Sequence, residues 1–124
     1  MDSPRILIVE DDPDNLELMR FMMERQGYAV LEATDGREGL AIARSAHPHL
    51  LLLDLAMPDV DGWTVTRELK ADPATRHIKI IIVSVRSLAE DRLKAQEAGC
   101  DAYITKPMSM AQLADVVARF LPHE

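Results

Sequence analysis

Ile6-Leu7-Ile8-Val9 runs without a break into Glu10-Asp11-Asp12, and this junction of aliphatic residues with acids sets the reading of the whole chain. A continuous apolar run, unlike an alternating one, suits a strand of a parallel sheet buried on both faces. Three further runs behave alike. His49-Leu50-Leu51-Leu52-Leu53 ends in Asp54, Ile80-Ile81-Ile82-Val83 ends in Ser84, and Tyr103-Ile104-Thr105 ends in Lys106-Pro107. Parallel strands of one sheet share one carboxyl edge, so carboxylates, a hydroxyl and an ammonium are expected to converge in one small pocket.

Between the runs the signals turn helical. Strands are expected to begin near Arg5, Tyr28, His49, Ile78 and Asp101, each followed by a helix-like segment, which is a βα unit repeated along the chain. Asp12-Pro13 offers an N-cap with proline at the first helical position, and Asp35 precedes Glu38 by three residues. Ser87-Leu88-Ala89-Glu90 and Ser109-Met110-Ala111-Gln112 have capping-box form. Gly27 and Gly99 stand where a left-handed residue closes a last turn. Leu113, Val116, Val117 and Phe120 make one apolar stripe for docking on the sheet. Such alternation predicts an α/β fold with helices on both faces of the sheet, joined by right-handed crossovers.

Composition bounds the function. The 124 residues, 48% of them hydrophobic, fit one domain spanning 1–124 with a real core. A net charge of −7 argues against a nucleic-acid or anionic-membrane surface. Cys100 is the one cysteine, which excludes an intramolecular disulfide and a cysteine-built zinc cage and fits a reducing compartment. The start of the chain lacks an apolar signal core, and no apolar stretch approaches membrane-spanning length. The expectation is a cytoplasmic protein with neither a nucleic-acid nor a membrane partner.

In a doubly wound sheet, ligands bind beyond the carboxyl ends of the strands where the winding reverses. Clustered carboxylates there resist full ionisation unless a cation neutralises them, and a hard divalent ion is the natural remedy. Magnesium prefers about six oxygen ligands and keeps several waters, so one or two carboxylates and a phosphate oxygen would complete its shell; manganese is the alternative ion. Asp54 could act as a nucleophile toward phosphorus. Lys106 and Ser84 would offer an ammonium and a hydroxyl to phosphoryl oxygens.

On these residues the chain resembles the receiver domains of two-component response regulators, single-domain chemotaxis-type members included. The resemblance runs from Ile6 to Leu121. It rests on Glu10-Asp11, on Asp54-Leu55-Ala56-Met57-Pro58 with Asp61-Gly62 after it, on Ser84 and on Lys106-Pro107, each weak alone and specific together. It implies a flavodoxin-like doubly wound (βα)5 fold with a five-stranded parallel sheet in the order 2-1-3-4-5, which would make Glu10, Asp11 and Asp54 neighbours across the crevice between strands one and three. It implies Asp54 as phosphoacceptor, Asp11 as a direct magnesium ligand, Glu10 as a ligand through water and the Ala56 carbonyl as a further ligand. Ser84 would swing toward the phosphoryl group, Lys106 would bridge it, Tyr103 would be the aromatic switch, and the Lys106-Pro107 bond would be cis. The implied partners are a histidine kinase or histidine phosphotransfer protein and a downstream protein target, bound through the fourth helix, fifth strand and fifth helix.

Blander readings stand beside these. Asp12 is a helix cap before it is a ligand, because Pro13 follows it. Asp54 alone would be a solvated strand end, Ser84 alone a strand terminus, and Lys106 alone a surface lysine; only the set argues otherwise. Met19, Met22 and Met23 are expected in the core, and His47-Pro48-His49 as a turn into a strand. Asp59-Val60-Asp61-Gly62 with Glu68 imitates part of a calcium loop, but Met57 stands where the first oxygen ligand belongs. An aspartyl phosphatase would carry an acid two residues after the nucleophile, and that position is Ala56, so only self-phosphorylation and slow hydrolysis are expected. A phosphate sink or a non-phosphorylated scaffold would share this sequence. Val85, beside Ser84, is expected to narrow access to the phosphoryl group. Ala56 and Arg86 stand where the resembled family tunes phosphoryl lifetime, and neither can act as a base toward water, which predicts a long-lived adduct. The fourth helical segment, with little large apolar content beyond Leu88 and Leu93, is expected to be thinly anchored.

Overall fold

Five βα units form, as the alternation of runs and caps predicts. The computed structural model describes residues 3–57, 59–86 and 88–121. In chain order the elements are β1 (Arg5–Val9), α1 (Pro13–Arg25), β2 (Ala29–Ala33), α2 (Gly36–Ala46), β3 (Leu50–Leu53), α3 (Gly62–Ala71), β4 (Lys79–Ser84), α4 (Ala89–Ala98), β5 (Ala102–Thr105) and α5 (Met110–Phe120). The strands make one parallel sheet in the order β2-β1-β3-β4-β5. Val9 lies opposite Ala33 on one side and Leu53 on the other, and Ser84 lies opposite Thr105. The carboxyl ends are therefore in register, and the winding reverses between β1 and β3.

Period-two alternation sorts the aliphatic side chains onto two cores. Leu7, Val9, Leu51, Leu53, Ile80 and Ile82 meet Leu40 and Ala43 of α2, Trp63, Val65 and Leu69 of α3, and Ala95 of α4. Ile6, Ile8, Leu50, Leu52, Ile81 and Val83 meet Leu16, Met19, Met22 and Met23 of α1 and Leu113 and Val117 of α5. Ile6 to Val9 and Leu50 to Leu53 are fully buried, as double-sided coverage requires.

β5 departs from the expected pattern. Its Ala102–Thr105 residues are all half-buried, because the strand is last in the order and has a neighbour on one side only. The expected order 2-1-3-4-5 already puts this strand at the edge.

Most helix ends follow their signals. Asp12 caps α1 by accepting from the Asp14 N–H, Asp35 caps α2 by accepting from the Glu38 N–H, and Asp61 caps α3 by accepting from the Thr64 N–H. Ser109 and Gln112 complete a reciprocal box at α5. Gly99 closes α4 at φ +106°, a conformation that costs glycine nothing. The box expected at Ser87 lies outside the described residues, as does Pro58; α4 begins after Leu88, which offers no side-chain cap. Leu88 and Leu93 do not anchor this helix, being 62% and 57% exposed. Its inward residues are Asp91, Ala95 and Ala98.

Candidate functional site

Glu10, Asp54 and Lys106 stand just past strand ends and Ser84 closes β4, and main-chain bonds beyond the ladders hold these ends together. The Glu10 N–H donates to the Ala33 carbonyl (3.0 Å), the Asp54 N–H to the Val9 carbonyl (3.2 Å), and the Lys106 N–H to the Ser84 carbonyl (2.7 Å). Glu10 and Asp54 are thereby tied to neighbouring strands before any side chain interacts. Gly62 fixes the back of the Asp54 loop: its N–H donates to the Leu55 carbonyl (3.1 Å), and a Cβ there would stand 2.7 Å from the Asp54 carbonyl oxygen. Only a residue without a side chain lets α3 start this close to the loop.

Carboxylate oxygens of Glu10, Asp11 and Asp54 all lie within 4.8 Å of one another. Glu10 is buried, Asp54 half-buried and Asp11 exposed. The Lys106 ammonium donates to Glu10 Oε1 at 2.7 Å, and the Asp12 N–H donates to Oε2 at 3.2 Å. The Ala56 N–H donates to Asp54 Oδ1 at 3.3 Å. Burial pushes the Glu10 carboxyl above its usual range, partly offset by Lys106 and the Asp12 N–H. Burial likewise raises Asp54, opposed by the Lys106 charge and the Ala56 N–H and reinforced by the charge of Asp11. Among the described residues Lys106 is the ammonium that acts on both carboxylates, too little charge for three acids.

The fit of a divalent ion follows from that chemistry. Hard oxygen donors at close spacing, two of them raised by desolvation and facing a single ammonium, suit magnesium or manganese. Glu10, Asp11 and Asp54 are the donors the structure groups; Ala56 lies exposed beside them. Asp12 is spent on capping α1, so it stays outside the set.

Ser84 and Tyr103 form a second layer. Ser84 is fully buried, and its Oγ accepts from the Arg86 N–H at 3.1 Å. The Tyr103 hydroxyl donates to the Arg86 carbonyl at 2.7 Å. Burial raises the Tyr103 hydroxyl, an effect offset by hydrogen bonding with Ser84. Arg92 of α4 lies 4.8 Å over the Tyr103 ring and donates to Thr105 Oγ1 at 2.6 Å. The Lys106-Pro107 bond is cis. Val85 is 70% exposed and lines an apolar groove of about 370 Å³ with Leu18, Met19, Met22 and Met108, a groove that Lys106 and Pro107 also border.

Sequence reasoning missed Arg86 as the residue whose main chain holds both Ser84 and Tyr103. It also missed the Glu10–Lys106 pair. No local pattern marks either, since Glu10 and Lys106 are 96 positions apart and meet only through the sheet.

Residues 6–118 match the response regulator receiver domain. The chain belongs to that family. The polar-differentiation response regulator DivK of Brucella ovis is 37% identical over 116 residues, covering 94% of each chain. The receiver domain of a signal transduction histidine kinase from Syntrophus aciditrophicus superposes with a TM-score of 0.90 at 35% identity, over 96% of this chain and 90% of that one. The receiver domain of a Pseudomonas aeruginosa sensor histidine kinase, solved with a magnesium ion coordinated in its active-site cleft, does so at 0.88 and 31%, over 95% and 97%. The sheet order and the helices of this receiver domain are those the resemblance implied.

Proposed function

We propose that this receiver domain accepts a phosphoryl group on Asp54 in a two-component phosphorelay, with a phosphohistidine of a histidine kinase or a phosphotransfer protein as donor. The observation that carries the reading is the grouping of Glu10, Asp11 and Asp54 within 4.8 Å, with Lys106 on Glu10. An Asp54 oxygen attacks phosphorus, the N–P bond of the donor breaks, and the imidazole leaves with the bonding pair and takes a proton. A bound magnesium or manganese ion would supply charge neutralisation for the phosphoryl oxygens and would be held by Glu10, Asp11, Asp54 and the Ala56 carbonyl. Lys106 exchanges its hold on Glu10 for a phosphoryl oxygen, and Ser84 turns from the Arg86 N–H to another. The phosphoryl group adds about 1.5 to 2 negative charges. Its capture of Ser84 frees Tyr103 to reorient and shifts α4 and β5, which with α5 form the surface for a protein target.

Intact-mass measurement after incubation with acetyl phosphate tests this. One phosphoryl adduct is expected, dependent on magnesium and absent in Asp54→Asn. An adduct that persists in the variant sinks the assignment of Asp54, and one that forms equally in chelator sinks the metal. Hydrogen exchange across Leu88 to Ala98 is expected to change with the adduct; unchanged exchange would remove the proposed output surface.

A further inference from the structure

Trp63 is the one tryptophan of the chain and opens α3, nine positions after Asp54. It is 8% exposed, and its indole N–H has no hydrogen-bond acceptor among the described residues, so the ring is held by its faces. Lys94 Nζ of α4 lies 4.1 Å from the ring centroid, and the Arg86 guanidinium lies 5.3 Å from it. The same guanidinium reaches Oδ1 of the buried Asp91 at 3.5 Å. Arg86 therefore ends in Trp63 and Asp91 while its main chain holds Ser84 and Tyr103. α4 turns Leu93 outward and packs the small Ala95 against α3, and the Lys94 contact with Trp63 adds to that modest apolar interface.

We infer that Trp63 is a positioning residue: by holding Lys94 and Arg86 over its ring it keeps α4 docked and Ser84 turned away from Asp54, and so restrains phosphorylation. Ser84 leaves the Arg86 N–H to reach a phosphoryl oxygen, which pulls on the segment that Trp63 and Asp91 clamp. Closure of the site and retention of the cations over the ring are opposite arrangements of one two-state element. A cation over an aromatic face biases such an element severalfold, and two cations bias it further. The inference rests on the proposed role of Asp54, and its test separates the two.

Lys94→Gln and Arg86→Gln leave the ring in place, while Trp63→Leu removes it and Trp63→Phe restores an aromatic face. In Lys94→Gln and Trp63→Leu, amide exchange across Ala89 to Ala98 should rise about threefold to tenfold, and magnesium-dependent adduct formation from acetyl phosphate should quicken by a similar factor. Trp63→Phe should return toward wild type, and wild-type Trp63 emission should change as the adduct forms. A variant that merely unfolds would slow the reaction instead, and Lys94→Gln, at an exposed residue that leaves the core untouched, would still quicken it. Adduct formation at the wild-type rate in all variants, with unaltered exchange, overturns the latch and leaves Asp54 standing. No adduct in wild type or variants overturns both.

Discussion

Asp54, the proposed phosphoacceptor, is held at a cost to stability. It is desolvated and faces Asp11 and Glu10, so its ionised form is disfavoured in the fold. Asp54→Asn should therefore stabilise the metal-free protein at neutral pH by about 1 kcal/mol, and magnesium should stabilise the wild type but not the variant in urea titrations. The pH dependence has a definite sign. The folded-state carboxyl values of Asp54 and Glu10 lie above their ordinary 3.8 and 4.5, so the fold binds these protons more tightly than the unfolded chain does. The cost of ionising them is complete above the folded values and fades as pH falls through them toward the ordinary ones. The advantage of Asp54→Asn should shrink over that fall; an advantage that grew would contradict the burial of Asp54. Lys106→Met acts the other way, leaving Glu10, 2% exposed, without its ammonium. A loss of about 2–3 kcal/mol at neutral pH is expected, limited by the ability of Glu10 to take up a proton.

At the scale of elements, the strands and caps were legible because their causes are local. Ile6 to Val9 and Leu50 to Leu53 announce burial by composition, and Asp12, Asp35 and Ser109 announce helix starts by a side chain that reaches two or three residues ahead. Where causes are distant, legibility stops. The short Tyr103-Ile104 run does not show its partial burial by composition; its place at the edge comes from the strand order. His47 takes a left-handed φ of +47° at the end of α2, signalled weakly by the proline that follows. Lys70 shows the limit clearly: its ammonium donates to the Arg76 and Ile78 carbonyls and to Asp101 Oδ2 at 2.9 Å, joining α3 to the strand ends opposite the site. Asp101 Oδ2 also accepts from the Ile80 N–H at 2.8 Å. Asp101→Ala should cost about 2 kcal/mol in urea unfolding by leaving both donors short of an acceptor, with little effect on adduct formation.

For the whole molecule, the candidate site was readable as a set of residue types and not as a set of contacts. The acids, the serine and the lysine each stand out at the end of a run, while the distances among them come from the sheet. Arg86 and Trp63 carried no such mark, since their importance lies in what their main chain and ring face touch. No described helix is long and apolar enough to cross a membrane. Glu10, Asp11 and Asp54 cluster on a chain whose net charge is −7, so a divalent ion gains there from local charge and from the overall field alike.

The main-chain bonds from Asp54 to Val9 and from Lys106 to Ser84 tie reactivity to chain topology. Glu10 arrives with the first strand and Lys106 with the last, so no fragment short of the paired sheet contains the site. Fraying of β5, the exposed edge, takes the ammonium away and leaves Glu10 a lone buried acid. Adduct formation in rising urea should then fall along the unfolding curve or ahead of it, never behind it. On the proposed role of Asp54, competence to receive a phosphoryl group would in this sense proofread folding: a molecule whose last strand is unpaired would be silent.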